Sequence, residues 1–316
     1  AIGSTDGEVI VEVSAVDKAT TNGNESAKVS YTFVVDTTAP AAPTELNLDP
    51  KPENGENVIN TALPTFKWTR MTEQGSGVEG YELTVGSDTY TVGQPEVGQP
   101  VVFTITNSLQ DGTYTASVVS VDAAGNKTGT GTTLDFVVHN IAPVVENLEQ
   151  TTDETDSTQT FTWTATTNGA ATKVAGYIFR VLDASKTVVI DETIETTETS
   201  MTKLVGPIAD GNYTAWVAAF DNAGNVGAAA ELQFKVDTTA PTVPVLTAKP
   251  ANPTNETSYT VEWNASTDAL SEIQGYNVWV NGTQVATLQT ATTYTFDYAA
   301  IGSTDGEVIV EVSAVD

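Results

Sequence analysis

Short runs of alternating hydrophobic and polar residues follow one another along most of this chain. The stretch TYTASVVSVD covers residues 113–122, and its Tyr114, Ala116 and Val118 side chains fall on one face of an extended strand. Such runs are rich in Val, Thr and Tyr, they have no helical period, and Gly, Asn, Asp and Pro separate them about every 8–12 residues. The pattern therefore predicts β-strands that are joined by turns.

One part of the chain shows a whole set of such strands. Between residues 37 and 140 we expect seven strands, near residues 43–48, 64–69, 78–85, 87–91, 101–107, 113–121 and 130–138. Seven short strands in about 100 residues are typical of a β-sandwich of the immunoglobulin (Ig) or fibronectin type III (FnIII) kind. The predicted fold class is all-β, a tandem array of seven-stranded antiparallel Ig/FnIII-like β-sandwiches.

The chain also repeats its own beginning. Residues 1–17, AIGSTDGEVIVEVSAVD, recur without change as residues 300–316, at an offset of 299. Identity over 17 consecutive residues indicates duplication of a long unit rather than similarity of fold alone. A shorter, looser period lies inside that unit. VVDTTAP ends at Pro40, VVHNIAP at Pro143 and KVDTTAP at Pro241, at intervals of 103 and 98 residues.

These two periods divide the chain into modules. We predict the C-terminal part of an Ig-like module at 1–36, complete modules at 37–140 and 141–238, and the N-terminal part of a module at 239–316, whose last 17 residues are identical to 1–17. The two partial ends are complementary pieces of one module type. We therefore expect an excerpt of a longer periodic polypeptide, with neighbouring modules of the same chain as partners.

Several motifs recur along the modules. A tryptophan lies at the centre of FKWT, FTWT and VEWN, as Trp68, Trp163 and Trp263, and a Gly-Tyr pair follows each of them. LQDGTYTASVVSVDAAGN at 109–126 matches IADGNYTAWVAAFDNAGN at 208–225. Because the three tryptophans recur at one strand of each module, we expect them to fill the cores of the sandwiches.

This combination resembles the fibronectin-III-like Ig domains of bacteria, and the linker D-T-T-A-P resembles the linkers of giant bacterial surface proteins and adhesins. The resemblance covers essentially the whole chain. It implies an extracellular or cell-surface location, and a corner tyrosine at Tyr114 and Tyr213. The third module type has Val9 and Val308 at that place, so its corner must rely on apolar packing.

The charge balance removes several classes of function. The chain has 41 acidic and 12 basic side chains and a net charge of −29. Nucleic acids and anionic membranes attract basic surfaces, so neither is an expected partner. Without cysteine, thiol nucleophiles, disulfides and cysteine zinc sites are impossible, and a single histidine excludes a His-rich metal site. No apolar run approaches the roughly 20 residues of a membrane span.

No group of residues interrupts the repeat as an active site would. His139 stands where the other two linkers have Asp36 and Asp237, and no Ser–His–Asp arrangement surrounds it. A pair of carboxylates for glycoside hydrolysis stays open, since acids abound along the chain. We expect acidic, solvated strand faces and no catalysis.

Calcium is the favoured metal, because it binds carboxylate and carbonyl oxygens. In this topology each linker lies beside the E–F corner of the preceding module and the B–C and F–G loops of the next. The predicted ligands are Asp6, Asp36, Glu73 and Asp122 at the first linker and Asp210, Asp237, Asp268 and Asp316 at the third. The middle linker offers Asp111, Asn140 and Asp221, with His139 in place of an aspartate. The resemblance to adhesin arrays also implies calcium at linkers. The alternative is turn chemistry, in which Asp and Asn bond to their own backbone.

We expect a non-enzymatic segment of a long extracellular fibre, stalk or adhesin shaft, as in a biofilm matrix, stiffened into an extended rod by proline-containing linkers and calcium. Lateral self-association and the distal ligand stay open. One alternative is a spacer in a secreted polysaccharide-degrading enzyme. Another is a module that binds carbohydrate or a receptor, for which Trp216 and Trp279 are candidates, although the favoured interpretation of both is that they fill a core or an interface. A fibre could also form by strand donation between subunits, but duplication of residues 1–17 argues against it, because a donor would lack the strand it receives.

Overall fold

A computed structural model describes residues 6–18, 23–52, 55–167, 172–252, 254–297 and 306–316. In these residues every regular element is a β-strand, which confirms the all-β class. The first ten strands are β1 Gly7–Val13, β2 Val29–Val35, β3 Asn47–Leu48, β4 Val58–Ile59, β5 Thr65–Trp68, β6 Val78–Val85, β7 Asp88–Gly93, β8 Val101–Thr104, β9 Gly112–Asp122 and β10 Thr132–Val138. The others are β11 Val144–Gln150, β12 Gln159–Thr166, β13 Val174–Asp183, β14 Val188–Glu195, β15 Ser200–Val205, β16 Gly211–Asp221, β17 Ala230–Val236, β18 Leu246–Ala248, β19 Ser258–Trp263, β20 Gly275–Val280, β21 Thr283–Gln289, β22 Thr293–Asp297 and β23 Val310–Val315.

The chain divides into two compact units. One consists of Ala1–Pro143, Thr167–Ala175 and Phe220–Gly227, and the other of Val144–Thr166, Gly176–Ala219 and Ala228–Asp316. The module boundaries after residues 36, 140 and 238 stay predictions. Residues 1–5 and 300–305 of the repeat lie outside the described residues. Among the described residues, no helix is long and apolar enough to cross a membrane.

The stretch between the first two linkers is a sandwich of two sheets around one core. The sheets have the orders β4-β10-β9-β6-β7 and β3-β5-β8. Phe66 and Trp68 of the smaller sheet and Tyr81 and Phe136 of the larger one are all at most 2% exposed. The rings of Trp68 and Tyr81 meet edge to face, with 5.5 Å between their centroids. The predicted sandwich is therefore confirmed for this module.

Two details of this sandwich differ from the prediction. The strand expected at 43–48 is reduced to β3, because Glu45 has a φ of +59°, outside the extended range of a strand. Side-chain hydroxyls bind carbonyls of the proline-rich segment before it. Ser120 Oγ donates to Ala41 O at 2.9 Å, and Thr132 Oγ1 donates to Pro43 O. Proline itself has no N–H for a ladder. The short strand β4 was not predicted, and it pairs in parallel with β10, so one pairing is not antiparallel.

The remaining strands form the sheets β11-β12-β15, β14-β13-β16-β17, β18-β19-β22 and β21-β20-β23. Trp163 meets Tyr177, and Trp263 meets Tyr276, edge to face with 5.4 Å between centroids in both pairs. Like Trp68, these tryptophans are at most 3% exposed. The prediction that the recurring tryptophans fill the cores is thus confirmed.

The predicted tyrosine corners are also present. Tyr114 Oη donates to Gln110 O, and Tyr213 Oη donates to Ala209 O, both at 2.9 Å. Each bond ties the start of a long strand, β9 or β16, to the turn that leads into it. The corner therefore fixes the position of the turn aspartate, Asp111 or Asp210, that stands between the two bonded residues.

The duplicated sequence occurs in two structural settings. In its first copy β1 pairs only with β2, in antiparallel register from Gly7 opposite Val35 to Val13 opposite Val29. In its second copy the strand is β23, whose residues correspond to 11–16 of the first copy, and it pairs with β20 in antiparallel register. One sequence thus has two different strand partners in the described part of the chain.

Candidate metal centres at the linkers

Asp6 holds the first linker from the side of the preceding corner. The Thr37 amide and hydroxyl donate to Asp6 Oδ1 at 3.0 and 2.7 Å, and the Thr38 hydroxyl donates to Oδ2. These bonds favour the ionised carboxylate and lower the pKa of Asp6, with the Thr37 hydroxyl as the largest cause. This predicted metal ligand therefore lies at the linker but is bonded to its threonines.

The other three residues predicted for the first linker lie together. Asp36, Glu73 and Asp122 each present one carboxylate oxygen, and these oxygens lie within 4.8 Å of one another. Asp36 follows β2, Glu73 stands in the loop before β6, and Asp122 ends β9. Asp122 is fully buried and Asp36 is 9% exposed. The fold thus collects carboxylates from three separate segments into one small volume.

Two of these carboxylates are satisfied by the protein itself. Asp36 Oδ2 accepts a bond from the Ser76 amide at 2.7 Å, and Ser76 is the largest cause that lowers the pKa of Asp36. Gly75 allows this approach, because its φ is +102° and a Cβ there would lie 2.8 Å from Asp36 Oδ2. Asp122 accepts bonds from the amide and the side-chain nitrogen of Asn126, both at 2.8 Å.

Glu73 differs from its neighbours because nothing satisfies its carboxylate. Both oxygens are shielded from solvent, and neither has a hydrogen-bond partner. Burial is the largest cause that raises the pKa of Glu73, followed by the charges of Asp36, Asp122 and Asp6. An ionised carboxylate in such surroundings is costly unless a cation or donor compensates it. The first cluster therefore combines negative charge with two unused, shielded oxygens.

The third linker repeats the arrangement with a different set of bonds. Asp237, Asp268 and Asp316 present oxygens within 4.8 Å of one another. Asp237 is 5% exposed and accepts a bond from the Ser271 hydroxyl. Asp268 Oδ1 accepts bonds from the amides of Leu270 at 2.8 Å and Ser271 at 3.0 Å. These bonds, Leu270 first, lower the pKa of Asp268, so this cluster is better satisfied by the protein than the first one.

Asp210 holds the third linker in the way that Asp6 holds the first. The Thr238 amide and hydroxyl donate to Asp210 Oδ1 at 3.0 and 2.7 Å. The pKa of Asp210 is lowered, with the Thr239 hydroxyl as the largest cause. The eight predicted ligands thus fall into two groups of three carboxylates, plus two aspartates that bind the linker threonines.

A lysine stands beside the third cluster. Lys235 Nζ lies 2.8 Å from Ser271 Oγ and 3.3 Å from a carboxylate oxygen of Glu154. Its charge also contributes to the lowered pKa of Asp268. The first linker has the apolar Val34 at the matching position. Two clusters of similar geometry therefore differ in the fixed positive charge next to them.

The middle linker lacks such a cluster in the part of the chain that the structure describes. Asp111 accepts bonds from the Asn140 amide at 3.1 Å and from Asn140 Nδ2 at 2.8 Å, and the amide is the largest cause that lowers the pKa of Asp111. Asp221 accepts a bond from the Asn225 amide at 2.9 Å. All three residues proposed for this linker are thus engaged in turn and linker bonds.

His139 occupies the place of the missing linker aspartate. Its side chain is buried, with Nε2 3.2 Å from Thr172 Oγ1 and Nδ1 3.6 Å from Asp111 Oδ2. The ring therefore links the corner of one module to the B–C loop of the next. At the other linkers that place belongs to Asp36 and Asp237, which are members of the carboxylate clusters.

An asparagine that was not among the predicted site residues binds the linker from the other side. Asn126 Nδ2 donates to Asp36 O at 3.0 Å, and Asn225 Nδ2 donates to His139 O at 2.9 Å. The same nitrogens also donate to the aspartates four residues earlier. The sequence does contain a signal for this asparagine: it is the last residue of the motif D-x-A-G-N, which recurs at 122–126 and 221–225.

The two tryptophans that do not recur lie on the outer faces of their strands. Trp216 and Trp279 are half-buried, and their neighbours in sequence are buried. The guanidinium carbon of Arg180 lies over the Trp216 ring, 5.1 Å from its centroid. Both rings are thus partly buried, and one face of Trp216 is covered by a side chain of the same protein.

Residues 42–140, which carry Glu73 and Asp122 on their B–C and F–G loops, match the family model of the bacterial Ig-like domain. This module is a bacterial Ig-like domain. The resemblance drawn from the tryptophan, the corner and the linker motifs is therefore confirmed.

The relatives that this chain matches are much longer proteins. Exoglucanase B of Cellulomonas fimi is 32% identical over 276 residues, which cover 82% of this chain and 23% of the relative. Chitinase A1 of Niallia circulans is 34% identical over 166 residues, which cover 50% of this chain and 22% of the relative. Among solved structures, a tetra-tandem repeat from the extending region of a large adhesion protein covers 98% of this chain and 78% of that one, at 19% identity and a TM-score of 0.32. The chain thus spans less than a quarter of the length of these two relatives.

Proposed function

We propose that this chain is a non-catalytic spacer segment of a long extracellular bacterial protein, and that its linkers hold consecutive modules in fixed relation. The observation that carries this proposal is that each linker is bonded from both sides. Asp6, Asp111 and Asp210 bind the linkers from the preceding corners. Asn126 and Asn225 bind the first two from the F–G loops that follow. A flexible tether would not need such bonds.

At the third linker the following module supplies the bonds through its B–C loop. The Thr242 amide donates to Thr267 O at 3.0 Å, and the Thr267 amide donates to Thr242 Oγ1 at 2.8 Å. The Ser271 hydroxyl, from the same loop, donates to Asp237. A spacer separates two parts of a protein more effectively when its linkers are restrained by such bonds, because free hinges between modules reduce the mean end-to-end distance.

Calcium at the first and third linkers is the second element of the proposal. Ca²⁺ binds six to eight oxygens at about 2.3–2.6 Å, so ligands around one ion lie up to about 5 Å apart. The two carboxylate clusters have that spacing, within 4.8 Å. The unpartnered oxygens of Glu73 support a cation at the first linker in particular. The ion would join a linker aspartate to two loops of the following module.

Small-angle scattering tests both elements of this function. We expect the maximum dimension and the persistence of the chain to increase when Ca²⁺ replaces a chelator. The double variant Glu73→Gln/Asp268→Asn should lose the response, whereas Glu79→Gln, at an exposed acid outside the clusters, should keep it. Identical scattering with Ca²⁺ and with chelator would contradict the calcium element. Broad, hinge-like distributions under both conditions would contradict the spacer itself.

A second candidate is a spacer inside a secreted polysaccharide-degrading enzyme. It is favoured by the similarity to exoglucanase B, which extends over 82% of this chain. The mechanical role would be the same, and only the attached domains would differ. The complete reading frame decides between the two candidates: a catalytic domain in the same polypeptide supports the enzyme spacer, and many further copies of the 299-residue unit support a fibre or adhesin shaft.

A further inference from the structure

A cleft lies on the outer face of the sheet β3-β5-β8, in the first complete module. Its volume is about 370 Å³, which is in the usual range of ligand sites. Phe66 and Trp68 of β5 are buried, so Lys67 between them stands on the outer face of the strand. A ligand in this cleft would meet mainly polar side chains. Six polar residues of the described chain line it, namely Glu45, Asn47, Asp49, Lys51, Lys67 and Thr69.

A β-bulge before β3 brings a carboxylate to this cleft. Asn47 pairs with Lys67, but the Thr69 amide donates to Thr44 O at 2.9 Å, so the segment before β3 carries one residue more than the strand opposite. Glu45 lies in this bulge with a φ of +59°, and its Oε2 accepts a bond from Thr69 Oγ1 at 2.7 Å. The bulge therefore fixes an acceptor group close to the lysine of β5.

The two lysines of the cleft have no partner in the described part of the chain. Neither Lys51 nor Lys67 takes part through its side chain in an ion pair or a hydrogen bond. Both residues are exposed, and Glu45 and Asp49 line the same cleft without pairing with them. The chain has 41 acidic and only 12 basic side chains, so two basic groups that stay free of carboxylates in one cleft are notable. Both ammonium groups are available to an anionic group of a ligand.

The lysine pair does not recur with the modules. Lys67, at the centre of F-K-W, is replaced by Thr162 in F-T-W and by Glu262 in V-E-W. The register of β3 on β5, compared with that of β11 on β12, places Asp153 at the position of Lys51. Features that the fold requires recur, as the core tryptophans do. The two lysines are therefore not needed for the sandwich, and a ligand contact accounts for their presence in one cleft.

We propose that this cleft binds an acidic sugar, a saccharide unit that carries a carboxylate group. Lys51 and Lys67 donate charge-assisted hydrogen bonds to the carboxylate of the ligand. Ionised Glu45 and Asp49 can only accept hydrogen bonds, so they need donors, and the hydroxyl groups of the same sugar supply them. One ligand class thus satisfies both the cations and the anions of the cleft.

Other ligands match the cleft less well. A neutral sugar would leave both lysines without a partner, and it would find no stacking surface on Trp68, the aromatic residue among those that line the cleft, because Trp68 is 1% exposed. A phosphate or sulfate group would offer the lysines an anion, but it would leave Glu45 and Asp49 without donors. The inference goes beyond the proposed function, and it depends neither on calcium nor on a role as a spacer.

Calorimetric titration of the whole chain with two carboxylate trimers, galacturonate and mannuronate, tests this proposal. A chelator is present throughout, so that calcium cannot bridge the acidic ligand to the acidic protein. We expect at least one trimer to bind, and its methyl-esterified form, which lacks the charge, to bind at least tenfold more weakly. Inorganic phosphate should not displace the trimer. Failure of both trimers to bind, equal binding of the esterified form, or equal binding of phosphate would overturn the proposal.

A pair of double variants locates the binding in the cleft. Lys51→Gln/Lys67→Gln should weaken binding of the trimer about tenfold, because two exposed ion pairs with the ligand are lost. Lys18→Gln/Lys249→Gln makes the same change in net charge at two exposed lysines outside the cleft, so it should bind as the parent chain does. Equal affinities of the two double variants would show that the trimer binds elsewhere, which would overturn the proposal.

Sedimentation velocity without ligand tests a different occupant, an acidic segment of a second copy of the chain. We expect a mass of 33.1 kDa at every concentration, for the parent and for both double variants. A larger mass that Lys51→Gln/Lys67→Gln abolishes and Lys18→Gln/Lys249→Gln retains would assign the cleft to protein association and overturn the proposal.

Discussion

Glu73 is the predicted calcium ligand whose ionisation the fold disfavours, because both of its carboxylate oxygens are shielded and lack a hydrogen-bond partner. Its raised pKa means that the folded state holds the proton to higher pH than the unfolded chain. In chelator, its contribution to stability is therefore full below the ordinary pKa of about 4.3 and is lost as pH rises through the raised value. Glu73→Gln should flatten this decline, and it should also remove part of the stabilisation by Ca²⁺.

Thermal unfolding as a function of pH, in chelator and in Ca²⁺, checks this prediction. Glu79→Gln is the matched control, since Glu79 is an exposed acid six residues further along. We expect the control to keep both the pH dependence and the calcium response of the parent chain. If Glu73→Gln and Glu79→Gln behave alike, the shielded carboxylate is not the group that responds to the ion.

Two tyrosines of the same module allow the corner bond to be measured by itself. Tyr114 Oη donates to Gln110 O, whereas the buried Tyr90 Oη has no hydrogen-bond partner. Tyr114→Phe should lower the free energy of unfolding by about 1 kcal/mol, because it leaves a carbonyl without its donor. Tyr90→Phe removes an unsatisfied hydroxyl and should leave stability unchanged or raise it. Chemical denaturation of both variants tests the difference, and equal losses would contradict the role of the corner.

At the scale of the elements, periodic features were predictable and local exceptions were not. The tryptophans, the corners and the strands from 78 to 138 repeat with the modules, so their pattern could be recognised without coordinates. Strand β4 has two residues, and no period reveals it. The segment before β3 is not a regular strand, because Glu45 has a φ of +59°, and hydroxyls of the distant Ser120 and Thr132 bind carbonyls of that segment. Such long-range side-chain bonds have no sequence period.

In the candidate metal sites too, some features could be predicted from the sequence and others could not. The carboxylates of the two clusters could be named because the topology of a sandwich places linker, B–C loop and F–G loop together. The sequence could not show that Asp36 joins the cluster whereas Asp6 binds the linker threonines, because this depends on which carboxylate the threonine hydroxyls reach. The shielding of both Glu73 oxygens also could not be predicted, because no sequence pattern reports the burial of a side chain in a loop.

The third linker carries a prediction about the lysine beside its cluster. With full screening by water, at a dielectric of about 80, the Lys235 charge opposes a cation about 4 Å away by roughly 1 kcal/mol, which is about fivefold in affinity. Lys235→Val, which copies Val34 of the first linker, should therefore raise the affinity of the third site about fivefold. Lys203→Val is the control, since that lysine has the same 22% side-chain exposure but pairs with Glu192. Calorimetric titration that finds equal affinities for both variants would contradict this electrostatic account.

At the scale of the whole molecule, a net charge of −29 makes the summed electrostatic interaction within the chain repulsive. Any salt weakens this long-range repulsion, because the Debye length is about 10 Å at 0.1 M. Within a cluster whose oxygens lie within 4.8 Å, a screening atmosphere has no room to form. Bulk ions and a site-bound ion should therefore stabilise the molecule in distinguishable ways.

Thermal unfolding at matched ionic strength separates these two effects. We expect NaCl to raise the midpoint gradually, and CaCl₂ to add a further, saturating increase at concentrations too low to alter screening. Mg²⁺ should be weaker than Ca²⁺, because it demands octahedral geometry at about 2.0–2.1 Å and keeps its water, whereas the clusters are built from loops with fixed spacing. The double variant Glu73→Gln/Asp268→Asn should retain the NaCl effect and lose the saturating one. If NaCl at equal ionic strength reproduces the whole effect of CaCl₂, the acids act only as a diffuse surface charge and the linkers hold no ion.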